Sequence, residues 1–268
     1  MRRAISYVVF ADMIFILLLS VAGLTDGVVS NAVYLSAFLL PASVVLFVAV
    51  KGRKEIAPPK LTASPRSLAL FLPTVAPTVL LVLGVSAVTS LLLSLFTSVP
   101  TTDVSGNVWS VIFRHAFLTA ILEELLFRYV PITLLSPRSK RVTVFLSAIL
   151  FALSHAALYQ IPYAFIAGVI FCALDLALDS IWPSVLLHLL NNLGSIFWVR
   201  YFENAAFRIA YIVTLSVLAV LSVAIIIIFR RKYLKLISSA VRSGEKERMP
   251  YEVWLFALMT LTIAIMNL

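Results

Sequence analysis

Apolar runs of roughly 20 residues, separated by short polar connectors, recur along the whole chain, and a helix needs a run of that length to cross about 30 Å of hydrocarbon. The pattern predicts spans from Ile5 to Leu24, Val28 to Val50, Ser67 to Ser98, Val108 to Leu135, Val142 to Tyr159, Pro162 to Leu178, Ile181 to Arg200, Phe207 to Phe229 and Tyr251 to Leu268. The last run follows a charged stretch, Lys235 to Arg248, that reads as lying on the inner membrane surface. The count is therefore nine spans, or eight with a terminal anchor. No internal repeat or low-complexity region interrupts the series. The loop at 51–66, with Pro58, Pro59 and Pro65, reads as a plain connector. The expected fold is all-α, a polytopic membrane helical bundle of about 8–9 transmembrane helices forming one domain over residues 1–268.

Composition narrows the class further. With 62% hydrophobic and 12% charged residues, and a mean hydropathy of +1.07, 268 residues cannot form a soluble domain. A net charge of +9 would otherwise suggest a nucleic-acid partner, but the lysines and arginines cluster in short connectors. With the N-terminus inside, 17 of the 21 basic residues fall on the inner side. Those charges set orientation and carry no nucleic-acid implication. Met1-Arg2-Arg3 opens a first run without an evident small-residue cleavage site, so it reads as a retained helix. The lone Cys172 lies in an apolar run, excludes an internal disulfide and reads as a small buried hydrophobe.

Against this background the run Ile121-Leu-Glu-Glu-Leu-Leu-Phe-Arg128 stands out, because charge at bilayer depth costs several kcal/mol and marks a functional-site hypothesis by default. Glu124 and Arg128 are at i and i+4 with the acid first, the favourable order for an ion pair on one helix face. Glu123 is rotated about 100° from Glu124, so Arg128 cannot serve both equally. Glu124 then reads as the structural partner and Glu123 as the free acid, suited to act as a base. A purely structural polar cluster locking helices together fits these residues alone equally well.

Phe151-Ala-Leu-Ser-His155 lies in the next run and His188-Leu-Leu-Asn-Asn192 two runs later. Singly, each reads as an interhelical hydrogen-bonder. Together they suggest more, since Glu123 and His155 are each about 21 to 22 Å along a helix from the basic turn at 138–141 and can meet at one depth. His188 and Asn192, at i and i+4, present two polar groups on one face, the arrangement needed to donate two hydrogen bonds to one oxygen. The set suffices for amide hydrolysis: Glu123 and His155 bind and deprotonate a water while His188 and Asn192 stabilise the oxyanion. Ser154 lies about 100° round the helix from His155, which makes a serine–histidine dyad a weak reading. Zinc on His155, His188 and Glu123 is a further alternative, although no His-Glu-x-x-His motif is present.

At these three segments the chain resembles the CAAX-protease and bacteriocin-processing family, which includes the Ras-converting CAAX endopeptidases. The resemblance rests on Glu123-Glu124-x-x-x-Arg128, Phe151-x-x-x-His155 and His188-x-x-x-Asn192, in that order, and covers about residues 108 to 200. It implies catalytic core helices over 108–200 around a cavity open to the cytoplasmic side, with a glutamate-activated water as nucleophile and no cofactor. Carried over, Glu123 is the base, His155 helps hold the water, His188 and Asn192 form the oxyanion hole, and Glu124, Arg128 and Phe151 support them. The implied activity is endopeptidase cleavage near a hydrophobic or prenylated CAAX-type C-terminus, in the cell membrane or endoplasmic reticulum, with a protein or peptide substrate and the lipid bilayer as partners. Two other classes compete: a non-catalytic scaffold or immunity protein of the same family, and a proton-coupled transporter, for which the expected repeats and broken helices are missing. Asp175 and Asp179, at i and i+4, read as solvating the inner end of the sixth span, and Arg114 and His115 as snorkelling at the outer end of the fourth.

Overall fold

The computed structural model describes residues 2–22, 24, 27–52, 56–59, 106–158, 160–201, 203–241 and 251–266. Among them there is no strand, and every long element is helical: α1 Arg2–Ala22, α2 Gly27–Lys51, α3 over residues 108–135, α4 Lys140–Ser154, α5 Ile161–Leu178, α6 Trp182–Tyr201, α7 Ala205–Val241 and α8 Tyr251–Met266. Three of these are long and apolar enough to cross a membrane, at Arg3–Ala22, Val29–Lys51 and Ile161–Leu178, and the chain is an integral membrane protein. The third expected span, Ser67 to Ser98, lies outside the described residues.

Local chemistry fixes the helix starts. The Asn107 side chain accepts from the N–H groups of Trp109 and Ser110 at 2.9 and 3.2 Å, and Ser139 accepts from Val142 at 3.3 Å, so each satisfies donors that a helix start leaves without partners. The fifth span is shorter than its hydropathy suggests. It was expected to run from Val142 to Tyr159, but α4 ends at Ser154, where the His155 ring turns back onto the Phe151 carbonyl and Ala156 adopts φ 48°. Fifteen residues give about 22 Å of helix, less than the hydrocarbon thickness. Conversely α7 runs 37 residues, past Phe229 and through Arg230, Arg231 and Lys235. The loop after α2 is more than a connector: the Ala57 N–H donates to the Thr133 carbonyl at 3.0 Å and Pro59 is buried.

α3 is central. Its first half packs on α6, its middle on α2 and α6, and its end on α1, α2 and α4. One apolar cluster joins α1, α2, α3, α4 and Val253 and Phe256 of α8, with Phe15 set against Phe38 and Phe127. α4 and α5 pack closely, because Gly168 lets the backbones meet: a Cβ there would lie 2.8 Å from the Ala148 Cα. Glycine thus sets the separation of the helix carrying Phe151 from α5. Replacing Gly168 with alanine should push α4 and α5 apart and cost about 1–3 kcal/mol, read as a lower unfolding midpoint of the detergent-solubilised protein. An unchanged midpoint would show that the contact yields without strain.

Candidate active site

Two stretches of α3, Ile112–Leu118 and Leu125–Tyr129, are π-helical and flank the glutamate pair on either side. Such stretches rearrange the i→i+4 ladder and often mark functional sites. Each lends a carbonyl to a neighbouring helix. The Ser147 hydroxyl of α4 donates to the Phe127 carbonyl, and the Asn192 amide of α6 donates to the His115 carbonyl at 3.2 Å. The backbone around Glu123 and Glu124 is therefore held from two sides by side chains of other helices.

The carboxylates meet their expected and unexpected partners at the centre. Arg128 Nε lies 3.1 Å from Glu124 Oε2, with both side chains fully buried, as the i, i+4 spacing predicts. The other oxygen, Glu124 Oε1, accepts from His188 Nδ1 at 2.7 Å. His188 Nε2 then faces Glu123 Oε2 at 3.7 Å. The His188 ring stands as a wedge between two carboxylates, with one nitrogen committed to Glu124 and the other facing Glu123. Adjacent residues diverge by about 100° on a helix, which opens a slot between their side chains that an imidazole can fill.

Phe151 organises what surrounds this wedge. The Arg128 guanidinium carbon lies 3.8 Å from the Phe151 ring centroid, a stacking geometry that supplies cation–π attraction where Arg128 Nη1 and Nη2 have no hydrogen-bond partner among the described residues. The same ring meets His155 edge-on at 4.8 Å and His188 at 5.6 Å between centroids. His155 Nδ1 donates to the Phe151 carbonyl at 2.8 Å, since a carbonyl can only accept. In the neutral ring this leaves Nε2 as an acceptor.

The structure thus brings together Glu123, Glu124, Arg128, Phe151, His155 and His188. Asn192 lies one turn further along α6, where its amide is engaged by His115 and its oxygen accepts from Asn191 at 3.5 Å. Arg114 does more than snorkel, donating to the Asn31 side chain of α2. The acidic pair on α5 divides: Asp179 is the exposed left-handed cap of the helix, while Asp175 is fully buried against Ser184 and solvates nothing. Cys172 is buried and unpaired in a disulfide, as its apolar run predicts. Among the described residues no group of three or more His, Cys, Asp or Glu is arranged to hold a metal ion.

Residues 105–194, 90 of the 268, match the family model for type II CAAX prenyl endopeptidase Rce1-like proteins. This segment is similar to the Rce1-like proteins. It contains every residue of the three motifs, and the family is one of proteases. No curated protein and no solved structure matches the chain. Within the Rce1-like segment, Glu124 holds both Arg128 and His188, so truncating one partner leaves buried charge uncompensated. Arg128→Met should destabilise the fold by about 3–5 kcal/mol, and Glu124→Gln added to it should restore part of that loss, as measured by a double-mutant cycle of unfolding in detergent. Additive losses would show that the two side chains do not depend on each other.

Proposed function

We propose that the chain is an intramembrane endopeptidase that hydrolyses a peptide bond near a hydrophobic or prenylated, CAAX-type C-terminus. One observation carries the reading: Glu123 Oε2 is buried and makes no hydrogen bond among the described residues, while His188 Nε2 faces it across 3.7 Å. That gap is too wide for a direct hydrogen bond. It leaves the two groups side by side without pairing them, Glu123 to meet a reacting water and His188 to meet the substrate oxygen.

In this mechanism Glu123, with His155 as the second acceptor, takes a proton from the water as its oxygen attacks the carbonyl carbon. The carbonyl electrons move to oxygen, and the resulting oxyanion accepts from Nε2–H of His188 in its imidazolium form, whose Nδ1–H stays on Glu124, and from the Asn192 amide, which exchanges the His115 carbonyl for it. Collapse of the intermediate breaks the C–N bond, and Glu123 returns the proton to the leaving amine. Glu124 and Arg128 hold His188 in register, and Phe151 holds both histidines. The apolar helices around the site suit a lipidated or bilayer-embedded peptide end.

The same reading includes eight or nine spans, a cytoplasmic N-terminus and a cavity opening on the side of the basic turns. His155 caps the end of α4 remote from Lys140, so a substrate from that side reaches about 20 Å into the bundle. A quenched-fluorescent farnesylated CAAX peptide, presented to the purified protein in liposomes, tests the proposal. Wild type should cleave it, Glu123→Gln should lower the rate by about 10²–10⁴-fold without loss of folded protein, and a chelator should leave the wild-type rate unchanged. Inhibition by chelator would replace the mechanism with a metal-dependent one. Full activity of Glu123→Gln would remove Glu123 as base.

A further inference from the structure

Asp175, on α5, sits nine residues before Ser184 and is wholly buried, yet both its carboxyl oxygens are satisfied by that one residue. Oδ1 accepts from the Ser184 backbone N–H at 3.1 Å and Oδ2 from the Ser184 hydroxyl at 2.6 Å. Ser184 is the third residue of α6, and a helix start leaves its first N–H groups without partners. Here each is accounted for. The Trp182 N–H faces the Ser180 hydroxyl at 3.4 Å, Pro183 has none to offer, and Ser184 is met by Asp175. A side chain from the preceding helix therefore does for α6 what a capping residue normally does from its own chain end.

The consequence lies one turn on. Ser184 and His188 are at i and i+4, on one face of α6. A bidentate grip on backbone and side chain of one residue fixes the helix in height and in rotation about its axis, and both determine where the His188 ring enters the slot between Glu123 and Glu124. We infer that Asp175 and Ser184 form a latch that positions His188 for the reaction. Asp175 is a positioning residue: it acts on the chemistry through α6. The inference rests on the proteolytic reading above, and it names the residue pair outside the three motifs on which that activity depends.

The test compares Asp175→Ala, Ser184→Ala, the double variant and Asp175→Asn with wild type, in liposomes, by kcat and KM on the farnesylated peptide, by unfolding midpoint, and by the ring ¹⁵N resonances of His188. The chain holds only two other histidines, so assignment needs only their substitution. Asp175→Ala should lower kcat about 100-fold with KM little changed, the loss expected when a reacting group is displaced by about 1 Å. The double variant should be no worse, Asp175→Asn should recover part of the rate by keeping one acceptor, and the His188 resonances should move in each impaired variant. Unchanged kcat in folded Asp175→Ala, or His188 resonances that stay in place while midpoint and activity fall together, would overturn the latch. Ser184→Ala provides the same comparison if Asp175→Ala fails to fold. If wild type cleaves nothing, the proteolytic reading fails, and the His188 resonances decide the latch alone.

Discussion

The organisation of the bundle depends on one buried carboxylate with two obligations. Glu124 is fully buried, and burying a lone charge costs several kcal/mol even after the surroundings relax. Arg128 on one oxygen and His188 on the other offset that cost, and because the two partners belong to different helices, the pairing also docks α6 on α3. Arg128 is itself buried, and its terminal nitrogens gain no further hydrogen bond among the described residues, so the Phe151 ring stacked against it substitutes for solvent. That brings α4 into the same arrangement. Three helices, α3, α4 and α6, thus meet at one place because one carboxylate cannot be left bare.

Rigidity around this point has a second source in the backbone of α3. A regular helix satisfies its own carbonyls and gives its neighbours nothing to hold. The π-helical stretches on either side of the glutamates instead present the His115 and Phe127 carbonyls to Asn192 and Ser147, so polar side chains pin the helix without placing another charge in the core. The close approach of α4 and α5 at Gly168 and Ala148 adds a steric stop one turn before Phe151. Charge pairing, backbone hydrogen bonds and packing therefore locate the same few side chains independently.

Much of this was legible in the sequence, for identifiable reasons. Helical period alone paired Glu124 with Arg128 and separated Glu123 from both, since that argument needs only geometry within one helix. Counting residues from the basic turn brought His155 towards the depth of Glu123, although the helix carrying it stops at Ser154 because a side-chain-to-carbonyl bond ends it, which hydropathy does not register. The place of His188 between two acids and the Asn192 bond to His115 depend on how α6 rotates against α3, a tertiary quantity that a one-dimensional pattern does not carry. Asp175 was misplaced for a related reason. An acid near the end of an apolar run normally faces water, and the signal to the contrary, a proline followed by serine at the start of the next helix, identifies a helix in need of a cap but not the donor of that cap.

Cys172 lies in the same wall of α5 as Asp175, without measurable exposure, and it is the only thiol in the chain. A thiol sealed in this way reacts slowly with reagents confined to water. The wild-type molecule is therefore already a silent background for thiol labelling. A cysteine placed in any exposed connector becomes its single addressable handle, and membrane-impermeant reagents can read the side on which each connector lies from an otherwise unaltered protein.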